Sequence, residues 1–93
     1  MTTALSSQEI DTRLKNLVGW QVNTGELVRT FQFADFRAAL QFVNAVGEVA
    51  EQVGHHPDID IRYNKVRLAL ITHDAGGITA KDFGLAEEID RLR

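Results

Sequence analysis

Between Pro57 and Thr72 the chain alternates apolar and polar residues across one short interruption, a pattern that demands a β-hairpin. Ile59, Ile61 and Tyr63 precede the interruption, and Val66, Leu68 and Leu70 follow it. Successive side chains on a strand point to opposite faces, so these six share one face while Asp58, Asp60, Arg62 and Arg67 share the other. Asn64-Lys65 reads as the two-residue connection, with Asn64 where a type I′ turn needs positive φ. Tyr63 then pairs with Val66, Ile61 with Leu68 and Ile59 with Leu70. Carried outwards, this register sets His56 opposite His73, and directly opposed residues have Cβ atoms about 4.5–5.5 Å apart. All the histidines of the chain, His55, His56 and His73, thus gather at one end of the hairpin.

The rest of the chain supplies the layers around it. Ser6 and Glu9 have capping-box spacing, and Ile10, Leu14, Leu17 and Val18 then recur at helical intervals until Gly19. Trp20-Gln21-Val22, the turn signal Asn23-Thr24-Gly25 and the run from Leu27 to Phe33 predict a first hairpin. Asp35 is a good N-cap for a long helix with the apolar stripe Phe36, Ala39, Leu40, Val43, Val46, Ala50 and Val53, closed by Gly54. Thr79, with Asp82 three residues on, opens a last helix whose apolar face is Leu85, Ala86, Ile89 and Leu92. The order α-β-β-α-β-β-α predicts an α+β fold: a four-stranded, mainly antiparallel sheet with helices packed on one face. Ala69 and Ile71 would lie among charged residues on the uncovered face. Trp20 and Tyr63 read as core residues. At 93 residues the chain is one domain, residues 1–93.

Composition narrows the function classes. An apolar fraction of 44% and a charged fraction of 25% are those of an ordinary globular domain. A formal charge of −3 with no run of lysine or arginine leaves no electrostatic footprint for nucleic acid or an anionic membrane surface. The absence of cysteine excludes disulfides, thiolate nucleophiles and sulfur-ligated metals. Met1-Thr2-Thr3-Ala4 begins neither a signal peptide nor an apolar span, so the expected compartment is the cytoplasm.

What remains is imidazole chemistry. Histidine exchanges protons near neutrality, and clustered imidazoles point to proton transfer or to a metal. A trihistidine zinc site is the chemical rival, since three neutral imidazoles can hold catalytic zinc. Glu51 lies one helical turn before His55 and is placed to hold its ring. Pro57 stiffens the chain where the histidines are presented. Asp82 is explained by capping alone, and is also a candidate second carboxylate near the site. Taken alone, an adjacent His-His at a helix end is more often a solvated cap than a catalytic pair.

The string Glu51-Gln52-Val53-Gly54-His55-His56-Pro57, with Tyr63-Asn64-Lys65-Val66, Thr72-His73, Gly77 and Asp82, resembles the signature of the pterin-4a-carbinolamine dehydratases. Gly19-Trp20 and Phe33-Ala34-Asp35-Phe36 extend the resemblance over nearly the whole chain. One departure is Ile59, where animal members commonly carry an aromatic residue. The resemblance implies a small α+β domain forming homodimers or homotetramers. It implies dehydration of 4a-hydroxytetrahydropterin to quinonoid dihydropterin, without metal or cofactor, in the service of an aromatic amino-acid hydroxylase. It makes His55 and His73 the acid-base groups and has His56 mainly hold the substrate, with Glu51, Pro57 and Asp82 in support. Relatives with the same fold also act as dimerisation cofactors for a transcription factor or as assembly factors, and such members can lose the histidines.

Overall fold

The expected order of elements is the order found: α1 Ser7–Leu14, β1 Gln21–Asn23, β2 Glu26–Gln32, α2 Phe36–Val53, β3 Asp58–Arg62, β4 Lys65–Leu70 and α3 Ala80–Asp90. The structure is a computed structural model describing residues 3–92; the start of the chain read for a leader, Met1-Thr2, lies outside the described residues. The strands form one antiparallel sheet in the order β1-β2-β4-β3. Leu27 and Phe31 of β2 and Val66, Leu68 and Leu70 of β4 face the helices. There they meet Ala39, Phe42 and Val46 of α2 and Phe83, Leu85, Ala86 and Ile89 of α3. Among the described residues no helix is long and apolar enough to cross a membrane.

The caps act as their residue types require. Ser6 and Glu9 form a reciprocal capping box, and the Ser6 backbone N–H holds the exposed Glu9 carboxyl below the usual carboxylate range. Asp35 accepts the N–H of Ala38 at 2.8 Å, and Gly54 ends α2 in the left-handed region with φ 69°. The first helix, expected to run to Gly19, stops at Leu14. Beyond it Leu17 turns into the core and Val18 out to solvent. This short segment is pinned by Arg29. Its guanidinium donates to the Val18 carbonyl at 3.2 Å and to Asp90 at 3.1 Å, while the Trp20 indole N–H donates to the same carboxylate at 3.0 Å. Gly19, at φ 94°, lies so close that a Cβ would come within 2.8 Å of the guanidinium carbon.

Three further expectations are corrected. The buried stripe of α2 is Ala39, Phe42, Val46 and Ala50, whereas Phe36, Leu40 and Val53 are exposed. Ala69, paired between Val28 and Asp58, is buried, and Ile71 is half-buried. The third correction is the register. Arg62 pairs with Lys65, Ile61 with Val66 and Ile59 with Leu68, so the turn is Tyr63-Asn64, two residues out of step with the expected pairing. The positive φ falls on Tyr63, at 52°, and its ring is exposed rather than in the core. The reason is a tertiary contact: the Asn64 side chain donates to the Phe33 carbonyl at 2.8 Å, and the Phe33 N–H donates to the Asn64 carbonyl at 2.8 Å. A slip of two keeps the strand residues on their expected faces, although Ile59 on the edge strand is exposed and Tyr63 leaves the strand for the turn. It does not keep His56 opposite His73, and the ladder's last pair is Asp58 with Ala69.

Candidate active site

The end of α2 delivers the first two histidines. Gly54 reverses the chain in its left-handed conformation, and the N–H of His55 donates back to the Ala50 carbonyl at 3.2 Å. This turn sends the His55 ring towards the start of α3. Its Nε2 lies 2.6 Å from Oδ1 of Asp82, a carboxylate with no solvent exposure.

Asp82 sits there because it completes the α3 capping box. Its Oδ2 accepts the Thr79 backbone N–H at 2.9 Å and the Thr72 hydroxyl at 2.9 Å. With its proton committed to Asp82, the Thr72 hydroxyl accepts from that of Thr79 at 2.7 Å, and Thr79 in turn accepts the Lys81 N–H at 3.2 Å. Among the described residues no buried side-chain polar atom lacks a partner. A carboxylate only accepts, so the proton of this pair resides on His55 Nε2 and leaves Nδ1 for other work. A ring anchored this way by a fixed carboxylate is oriented before any ligand arrives.

The other two histidines are freer. His56 Nε2 bonds to Glu51 Oε2, both side chains being exposed. Glu51, expected to hold His55, therefore reaches the next residue instead. Pro57, half-buried, joins the pair to β3. His73 opens a 3₁₀ turn, His73–Ala75, that ends at Gly76 with φ 72°. It is exposed, and its imidazole has no hydrogen-bonding partner among the described residues. His55, His56 and His73 nevertheless line one cleft of about 300 Å³, with Ile71, Asp74 and Lys81. Among the described residues no three His, Cys, Asp or Glu side chains are arranged so as to hold a metal ion. Lys81 and the hydroxyls of Thr72 and Thr79 are the members that sequence reasoning missed. The Thr-His dipeptide and the capping position of Thr79 were the available signals.

A model of the family described as pterin 4 alpha carbinolamine dehydratase matches residues 3–92. The chain belongs to that family. A relative from Acidobacterium capsulatum, provisionally named a pterin-4-alpha-carbinolamine dehydratase, is 56% identical over 88 residues, covering 95% of this chain and 96% of its own. A second from Chloroflexus aurantiacus, under the same provisional name, is 57% identical over 88 residues, covering 95% of both. Among solved structures, the "transcriptional coactivator/pterin dehydratase" from Brucella melitensis superposes with a TM-score of 0.92 at 32% identity, over 97% of this chain and 98% of that one. A "pterin dehydratase-like protein" described as a RuBisCO assembly factor in the alpha-carboxysome shares the fold, with a TM-score of 0.64 at 23% identity, over 78% of this chain and 84% of that one.

Proposed function

We propose that this chain dehydrates a 4a-hydroxytetrahydropterin to the quinonoid dihydropterin by general acid-base catalysis, returning the pterin cofactor of an aromatic amino-acid hydroxylase to its cycle. The observation that carries this reading is the His55–Asp82 pair, a buried and fully partnered carboxylate orienting one imidazole at a cleft that two further imidazoles line.

The chemistry asks for two proton transfers. The C4a–O bond breaks as the N5 lone pair forms the N5=C4a double bond. The departing oxygen takes a proton from an imidazolium and leaves as water, and the N5 proton passes to a neutral imidazole. His55 and His73 share these two roles in this reading, and His56 with Glu51 holds the pterin at the rim. Pro57 fixes the entry of the histidine pair into β3. Acid-base assistance of this kind is typically worth about 10² to 10⁴-fold, and imidazoles work best because they titrate near neutral pH. No residue in this scheme is asked to bind a metal or cofactor. The chain works in the cytoplasm as a homodimer or homotetramer, for which the unpaired outer edge of β3 offers a surface.

A second reading has its own support. The Brucella melitensis chain joins coactivator and dehydratase in its description, so a role as dimerisation cofactor or assembly factor on the same fold is the alternative. The three histidines around one cleft favour catalysis, since partner binding has no need of them. Titration of the protein with a stable dihydropterin, followed through the imidazole NMR signals, separates the two. The expected result is that His55, His56 and His73 shift together and saturably. Unmoved imidazoles at millimolar pterin would refute pterin binding in this cleft.

A further inference from the structure

We infer that the apolar groove between the end of α2 and the first turns of α3 is the subsite for the substituent on the pterin ring, and that Gly84 sets its size. This rests on the pterin reading of the histidine cleft and extends it to substrate choice.

The groove has a volume of about 290 Å³ and is lined by Val53, His55, Lys81, Gly84 and Leu85. It shares His55 and Lys81 with the histidine cleft, so the two spaces adjoin at these side chains. The two spaces differ in chemistry. Imidazoles, Asp74 and Thr72 surround the first, where hydrogen bonds fix a polar ring. Val53, Gly84 and Leu85 form the second, where a carbon chain is better accommodated, with the Lys81 ammonium at the junction to meet a hydroxyl or other acceptor.

Gly84 is the telling residue. It stands inside α3, where glycine is less favourable than alanine, and no atom lies within 4 Å of the position a Cβ would take. Packing within the chain therefore does not require glycine here. Its effect is to leave its part of the groove lining without a side chain. Gly47 of α2 is equally free of neighbours but lines neither cleft. A Cβ added at position 84 meets no other part of the protein, so a larger side chain there can be introduced to narrow the groove.

The test compares two substrates, the 4a-hydroxy forms of 6-methyltetrahydropterin and of the pterin with a 1,2-dihydroxypropyl group at the same carbon, on wild type, Gly84→Ala and Gly84→Leu. The ratio of kcat/KM for the larger substrate to that for the smaller is expected to fall by about tenfold in Gly84→Leu, with the loss lying in KM. Gly84→Ala, which adds one methyl group and favours the helix, should move the ratio the same way by less. An unchanged ratio in both variants would overturn the subsite. So would a loss shared equally by the two substrates, including one accompanied by a change in sedimentation, which would mean that a second copy of the chain covers the groove. Wild type that turns over neither substrate would remove the pterin reading itself, and the subsite with it.

Discussion

Asp82→Ala is expected to lower the free energy of unfolding by about 3 kcal/mol, a large share of the stability of a domain this size. Asp82 is completely buried, and its removal strands the Thr79 N–H, the Thr72 hydroxyl and the His55 ring at once. Each buried donor left without an acceptor costs about 1–3 kcal/mol, although the cleft side of His55 can take water and soften its share. Asp82→Asn keeps the volume and one acceptor oxygen, so it should recover part of the stability. It should recover little activity, because an amide whose oxygen faces Thr79 presents its N–H₂ to His55 and reverses the hydrogen bond that sets the tautomer. Urea denaturation with a parallel rate measurement checks both halves. Full stability in Asp82→Ala would contradict the buried network.

His73→Ala should behave in the opposite way. The imidazole is exposed and unpartnered among the described residues, so its loss should change stability by no more than about 0.5 kcal/mol. In the proposed mechanism it is one of the two acid-base groups, and it should then carry about 10² to 10⁴-fold of kcat. Thermal denaturation and single-turnover rates on the same preparation make the comparison. Equal damage to folding and turnover would mark His73 as a structural residue of its 3₁₀ turn. Taken together, the two variants separate a residue that both builds and serves the site from one that only serves it.

How much of this was legible beforehand depended on whether the deciding contact was local. Asp35 and Gly54 bound α2, and Thr79 with Asp82 opens α3, through hydrogen bonds spanning a few residues; no such local signal marks the end of α3, which stops at Asp90 and leaves Leu92, expected on its apolar face, exposed. Alternation along β3 and β4 identified the hairpin and its apolar face for the same reason. The turn was misjudged because Asn64 answers to Phe33, a residue 31 positions away, and no local propensity carries that information. The stripe of α2 held Ala39, Val46 and Ala50 but was drawn too wide and omitted Phe42, because apolar residues surround much of the helix and packing against Phe31 and Phe33 selects the face bearing Phe42. At the site, helical spacing put Glu51 beside His55. The left-handed Gly54 breaks that spacing at the point where it mattered, so Glu51 meets His56 and Asp82 takes His55. Asp82 was a candidate for the site, but capping accounts for only one of its oxygens, and nothing local says that the other meets His55.

The most direct test of the account is the rate at which purified protein consumes an enzymatically generated 4a-hydroxytetrahydropterin, followed by the ultraviolet absorbance of the quinonoid product. The prediction is saturable acceleration over the spontaneous reaction, largely lost in His55→Ala and in His73→Ala. A wild-type rate equal to the spontaneous one would contradict the account, as would full activity in either histidine variant.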